Sequence, residues 1–222
     1  MQRRHFLTLS LSSFGGLLFY TLDRRPMLLA AADNAIRVPL RFFTKREALV
    51  VAAAAARIFP SDESGPGATE AGVILYIDRQ LAGPYGRDRY RYTQPPFESG
   101  PPELGYQDQA TPRQIYRQGL PLLRGFDRLV HMDQAAQDDA LRKIENTQFF
   151  SLLRTHVIEG MFCDPMHGGN KDMIGWQLIG FPGPRMSFEA EVDQYYGRAF
   201  RPQPSSLEQV VGRKVRPSEE EK

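Results

Sequence analysis

Apolar residues in this 222-residue chain recur at helical spacing, and no stretch alternates at period two for long enough to specify a sheet. That feature points to a mainly α fold, a single helical domain with long ordered Gly/Pro-rich loops. Thr44-Lys45-Arg46-Glu47 forms a capping box, in which the threonine hydroxyl accepts from the Glu47 amide and the Glu47 carboxylate reaches back. The alanine-rich stretch behind it predicts a helix from Lys45 to Phe59, ended by Pro60. Thr69-Glu70 opens a second helix through Leu81, with Val73, Ile74, Ile77 and Leu81 on one face. Thr111-Pro112 starts a third, carrying Ile115, Tyr116, Leu120, Leu122, Leu123, Phe126, Leu129 and Val130, which Pro121 should kink or divide. Asp133 starts a helix containing Leu141 and Ile144. Asn146-Thr147 caps another, whose buried face reads Phe149, Phe150, Leu152, Leu153, Val157 and Ile158.

Between these helices lie turn-rich segments. Ser61 to Ala68 reads as a loop, and Gly83 to Ala110 as a much longer one of the kind that is functional or ordered by a partner. The longer loop contains Arg87-Asp88-Arg89-Tyr90-Arg91-Tyr92. Basic and aromatic residues interleave there as in some single-strand nucleic-acid binders, or as on a partner-facing protein surface, where Tyr and Arg dominate binding. From Phe162 to Pro184 helix signals give way to glycine and proline. The chain then ends in a charged tail.

The amino terminus reads as an address. Arg3-Arg4 followed by Phe6-Leu7 resembles the twin-arginine export signal, and an uncharged apolar stretch runs from Phe6 to Leu22. Ala30-Ala31-Ala32 offers a small-residue cleavage site. Arg24-Arg25 after the apolar run leaves retention as a membrane anchor open. The expected organisation is an export signal at 1–32, a helical domain at 33–203 and a flexible tail at 204–222.

Charge is read against that division. The whole chain carries 28 basic and 26 acidic residues, a net charge of +2. Cleavage after Ala32 removes four arginines and Asp23, leaving 24 basic and 25 acidic residues. The basic excess therefore belongs to targeting, and nucleic acid is not an expected partner. A single cysteine excludes an internal disulfide and any thiolate-rich cluster or zinc site.

The most distinctive stretch runs from Gly160 to Pro184. It contains Asp164-Pro165, then Gly168-Gly169-Asn170, then Gly175-Trp176, then Gly180-Phe181-Pro182-Gly183. Glycine allows positive φ and close backbone approach, proline stiffens the chain, and Trp176 and Phe181 are large anchors. A dinucleotide loop would need a strand before Gly168-Gly169-Asn170 and a helix after it; Met166-His167 is not a convincing strand. Cys163, His167 and His156 do not supply four zinc ligands on a common face, so no metal site is expected. His156 reads as a semi-exposed helical residue and His167 as a loop or interface residue.

In order and spacing this stretch closely resembles the signature of the gluconate 2-dehydrogenase subunit 3 family. Arg57-Ile58-Phe59-Pro60, Pro66-Gly67-Ala68 and Ala71-Gly72-Val73 extend the likeness upstream. The resemblance implies an accessory subunit with no catalytic, cofactor-binding or metal residues of its own. Its implied partner is a flavin-bearing catalytic subunit of the glucose–methanol–choline type that holds FAD. A third, membrane-associated subunit with haem c is also implied. The small subunit would support folding of the flavoprotein and carry it through the twin-arginine translocase to the periplasm.

Cys163, Asp164, Pro165, Gly168, Gly169, Asn170, Trp176, Gly180, Phe181 and Pro182 are the expected interface or motif residues. Trp176 and Phe181 are read either as anchors for the partner or as internal staples. Cys163 is read as an inter-subunit disulfide, an interface thiol or an inert buried one. The competing functional reading is a stand-alone periplasmic enzyme or ligand-binding protein using the Cys163–His167 region.

Overall fold

A computed structural model describes residues 38–91, 94–98, 100–105, 109–123, 126–185, 187–200 and 202–215. Arg3, Arg4, Phe6 and Leu7 lie outside the described residues. Among those described the chain is helical with no strand, which establishes the mainly α fold.

Helix α1 (Lys45–Ile58) begins at the expected capping box, with Thr44 Oγ1 accepting from Glu47 N at 3.2 Å and Glu47 Oε2 accepting from Thr44 N at 2.8 Å. Its valines and alanines are buried on several sides, so it is the central rod of the domain. Small side chains let neighbouring helices approach it closely. It packs against α2 (Val73–Ala82), α4 (Phe126–His131), α5 (Gln134–Arg142) and α6 (Gln148–Phe162). Arg57 fixes the α1–α5 contact with a two-pronged bridge to Asp138, at 2.6 and 2.9 Å. That bridge holds the Asp138 carboxyl below its usual range.

Helix α3 (Pro112–Gly119) has its own capping box at Thr111 and Gln114. Pro121 divides the segment as expected: α3 stops at Gly119, a 3-10 turn covers Leu120–Leu122, and α4 follows. Asp133 and Thr147 cap α5 and α6. Ile144 falls just beyond α5 but is buried, whereas Ile158 faces outward. The long loop Gly83–Ala110 carries short 3-10 turns at Tyr85–Arg87 and Pro102–Leu104.

Three elements differ from the sequence reading. The second helix starts at Val73 rather than Thr69, because Ala71 O is taken by Lys171 N at 3.0 Å and Gly72 turns left-handed at φ 67°. Glycine-rich residues 162–184 include 3-10 turns at Pro165–His167 and Lys171–Met173 and a short helix α7 (Ile174–Ile179), too brief to show a period. Beyond them come α8 (Glu189–Gln194) and α9 (Leu207–Val215). Helix α9 lies inside the segment read as a tail. It starts at a third reciprocal cap, with Ser206 N donating to Gln209 Oε1 at 3.1 Å and Gln209 N to Ser206 Oγ at 3.3 Å.

A strap over residues 38–43 precedes α1. The Asp78 carboxylate on α2 accepts three successive backbone N–H groups, from Arg41 at 2.7 Å, Phe42 at 3.0 Å and Phe43 at 2.9 Å. Asp78 is thereby buried with its oxygens satisfied, and Phe43 is drawn into the core against Tyr116.

Candidate functional site

Helix α6 ends at Phe162, and a helix end leaves its last carbonyls without partners inside the helix. The segment that follows supplies them. Asn170 N donates to Gly160 O at 2.8 Å, Asn170 Nδ2 to Cys163 O at 2.8 Å, and Trp176 Nε1 to Phe162 O at 2.7 Å. Asn170 Oδ1 accepts from Gly175 N at 2.8 Å, so both ends of its side chain are used. Asn170 is fully buried and left-handed at φ 45°, a conformation asparagine tolerates better than most side chains.

Gly175 is required by proximity: a Cβ there would sit 1.9 Å from Met161 O. Gly169 meets the same limit against Gly160 O, at 2.2 Å. Lys171 N, bonded to Ala71 O, ties the segment to the turn before α2.

The remaining expected residues occupy the rim of this knot. Asp164 Oδ1 accepts from Met166 N at 3.1 Å, closing the turn at Pro165 and Gly168, and Oδ2 accepts from Leu207 N at 2.7 Å at the start of α9. Pro182 O accepts from Ser205 N at 3.2 Å. Trp176 is 4% exposed, while Phe181, edge-on to it at 5.2 Å between ring centres, is 43% exposed. Gly180 ends α7 at φ 69° and turns Phe181 outward. Met166 and Ile179 are also exposed. Cys163 is half-buried, its Sγ 3.8 Å from Gly160 O, and burial pushes its thiol up to about 11. Among the described residues no group of His, Cys, Asp or Glu is arranged to hold a metal.

The structure corrects the reading of His156. It is completely buried, and both ring nitrogens are engaged: Tyr85 Oη lies 2.9 Å from Nε2 and Tyr116 Oη 2.9 Å from Nδ1. In a neutral imidazole one nitrogen donates and the other accepts, so one tyrosine hydroxyl accepts a hydrogen bond from the ring and the other donates one to it. The Tyr116 ring is stacked on the imidazole at 5.5 Å. Burial lowers the His156 pKa to about 4, which keeps the ring neutral. Burial also pushes the Tyr85 hydroxyl up to about 12, with the Glu159 and Asp88 charges adding to it. Beside this triad Tyr76 donates to Glu159 Oε2 at 2.9 Å. The sequence signal for His156 was its place in the stripe Phe149, Leu153, His156, Gly160, at helical spacing on the buried face of α6.

A shallow groove of about 450 Å³ lies further along the chain, lined by Arg185, Glu191, Gln194, Tyr195, Ala199, Phe200 and Pro202. Within it Arg185 is paired with Glu191 at 2.5 Å and lies over the Phe200 ring.

Fold and motif together define a class: a small all-α protein whose glycine-rich signature is a helix-terminating knot inside the domain. Residues 45–183 match the family model of gluconate 2-dehydrogenase subunit 3, and the chain belongs to that family. No curated protein sequence and no solved structure matches it.

Proposed function

We propose that this chain is the non-catalytic small subunit of a flavin-dependent sugar or sugar-acid dehydrogenase. It binds a catalytic flavoprotein of the glucose–methanol–choline type, supports its folding, and carries it by the twin-arginine route to the periplasm. The observation that carries this reading is the family match across residues 45–183. FAD then belongs to the partner and haem c to a third subunit. Two features support the proposal. The motif's buried residues are engaged in backbone closure, and its exposed rim of Met166, Ile179 and Phe181 is held on a rigid base, as a preorganised docking patch requires. Cys163 stands next to that rim as the candidate for a covalent link between subunits.

The test is co-expression with a flavoprotein of the glucose–methanol–choline type, with and without this chain. Export and FAD loading of the flavoprotein should fall sharply when the chain is omitted. Unchanged yield, export and activity would overturn the proposal. Non-reducing electrophoresis of the complex reads the Cys163 link directly.

A further inference from the structure

Gly168 ends the turn Pro165–His167 at φ 101°, and its missing side chain makes room for a cation. A Cβ at Gly168 would sit 2.5 Å from Arg79 Nη1, 2.9 Å from its Cδ and 3.0 Å from its Cζ. The Arg79 side chain therefore lies along the Gly168 backbone, in the space a residue at 168 would fill. The turn sits over α2: a Cβ at Gly72 would lie 3.8 Å from Gly168 O. Arg79, in the last turn of α2, leans back toward the turn as helical side chains do.

Arg79 is half-buried, and so are Arg57, Arg91, Arg113 and Arg185. Each of those four has its acceptor. Arg57 is bridged to Asp138, Arg91 to Asp88 and Arg185 to Glu191, and Arg113 donates to Leu81 O and Ala82 O. Among the described residues no carboxylate, carbonyl or aromatic ring meets the Arg79 guanidinium. The acidic residues of α2, of the end of α6 and of the turn are used elsewhere. Asp78 accepts three backbone N–H groups, Glu159 accepts from Tyr76, and Asp164 accepts from Met166 N and Leu207 N. A guanidinium drawn partly out of water without an acceptor is a cost to the isolated chain. Its seat on the backbone also reduces the freedom it would lose on binding.

One guanidinium at a surface holds a free anion only weakly. The missing acceptor is better supplied by a surface that covers the site and excludes water. Met166, in the same turn, is 54% exposed, and arginine and methionine are among the residues enriched at protein interfaces. Arg79, Met166 and Gly168 all lie within the family match.

We infer that Arg79, seated on Gly168, is the charged anchor of the docking rim and receives an aspartate or glutamate carboxylate of the catalytic flavoprotein. The inference rests on the flavoprotein-binding reading and adds the chemistry by which the partner is recognised.

The test measures the affinity of the full chain for a flavoprotein of the glucose–methanol–choline type, with the melting temperature of the free chain beside it. Arg79→Gln and Arg79→Lys are compared with Arg154→Gln, a control at an exposed position of α6. Arg79→Gln should raise Kd about thirtyfold or more, the loss of an interface hot spot. Arg79→Lys keeps the charge without the planar fork and should lose less. Arg154→Gln should bind like the wild type. The free Arg79→Gln chain should melt no lower than the wild type, because no internal bond is lost. Wild-type affinity in Arg79→Gln would overturn the inference and leave the flavoprotein reading standing, whereas a wild-type chain that captures no flavoprotein would sink both. A lower melting temperature for Arg79→Gln would make Arg79 an internal packing residue and overturn the anchor. Equal losses in the Lys and Gln variants would mean a neutral acceptor and overturn the carboxylate. Stabilisation of the wild type but not of Arg79→Gln by sodium acetate, relative to sodium chloride, would give the site to a free anion and overturn the inference as well.

Discussion

Asn170 donates its side-chain amide to the backbone carbonyl of Cys163 at 2.8 Å, across the end of α6. The same side chain accepts from Gly175 N, so one residue joins the end of a long helix to the start of a short one. Asn170→Ala leaves a buried carbonyl and a buried N–H without partners and places an alanine at φ 45°. Each of those effects costs on the order of 1–2 kcal/mol. The variant should lose about 3 kcal/mol in urea denaturation. Asn170→Gly, which relieves only the backbone strain, should recover part of that loss.

Gly175 and Gly180 separate two reasons for glycine in one motif. A Cβ at Gly175 would overlap Met161 O, and only backbone movement relieves that. A Cβ at Gly180 meets nothing within 4 Å, leaving only the penalty of φ 69°. Gly180→Ala should therefore cost about 1 kcal/mol and fold normally. Gly175→Ala should cost about 3 kcal/mol or more and lower the soluble yield. Thermal melts of the two variants check the order; equal losses would contradict the close approach of α7 to α6.

The helix starts were legible because a cap is local chemistry. Thr44, Thr111, Asp133 and Thr147 each act on an amide three residues away. The motif from Asp164 to Gly183 was legible as a pattern, and it pointed to the family. Its physical task was not, because nothing local to Asn170 or Trp176 says which carbonyl each will meet. His156 was misread for the same reason: the hydroxyls that engage it come from 71 and 40 residues away. Helix α7 and the reciprocal cap of α9 are short, and shortness hides periodicity.

His156 makes stability depend on pH with a definite sign. Its pKa is about 4 folded, against 6.5 for an ordinary histidine. Between those values the unfolded chain binds the extra proton, so stability rises with pH across this window. The contribution is complete above pH 6.5 and is lost as pH falls toward 4. Its size is at most roughly 3 kcal/mol. Denaturation midpoints measured at steps from pH 7 to pH 4 should fall more steeply for the wild type than for His156→Gln. Parallel curves would show that the imidazole is not the group responsible.

Cys163 should be a slow nucleophile in the isolated chain. Burial first, and then the nearby carboxylates, hold its thiol up at about 11. The thiolate fraction at pH 8 is then on the order of a hundredfold below that of a free thiol. Iodoacetamide should label the folded chain correspondingly slowly and the urea-unfolded chain fast. Fast labelling of the folded chain would mean that the segment around Gly160 and Cys163 opens readily.

Trp176 and Phe181 meet edge to face yet should fail in different ways. Trp176 is buried and bonded to Phe162 O, so Trp176→Phe loses that hydrogen bond and packing inside the chain, about 1–2 kcal/mol. Phe181 is substantially exposed, so Phe181→Ala should leave the melting temperature within a degree or two, a loss below about 0.5 kcal/mol. If the rim faces the flavoprotein, Phe181→Ala should nonetheless weaken co-purification about tenfold or more, the effect of losing an aromatic anchor at an interface. Trp176 is the only tryptophan, so its blue-shifted emission reports whether the knot survives in the Phe181 variant. An intact knot with undiminished flavoprotein capture would remove Phe181 from the interface and leave it as an exposed edge of the staple.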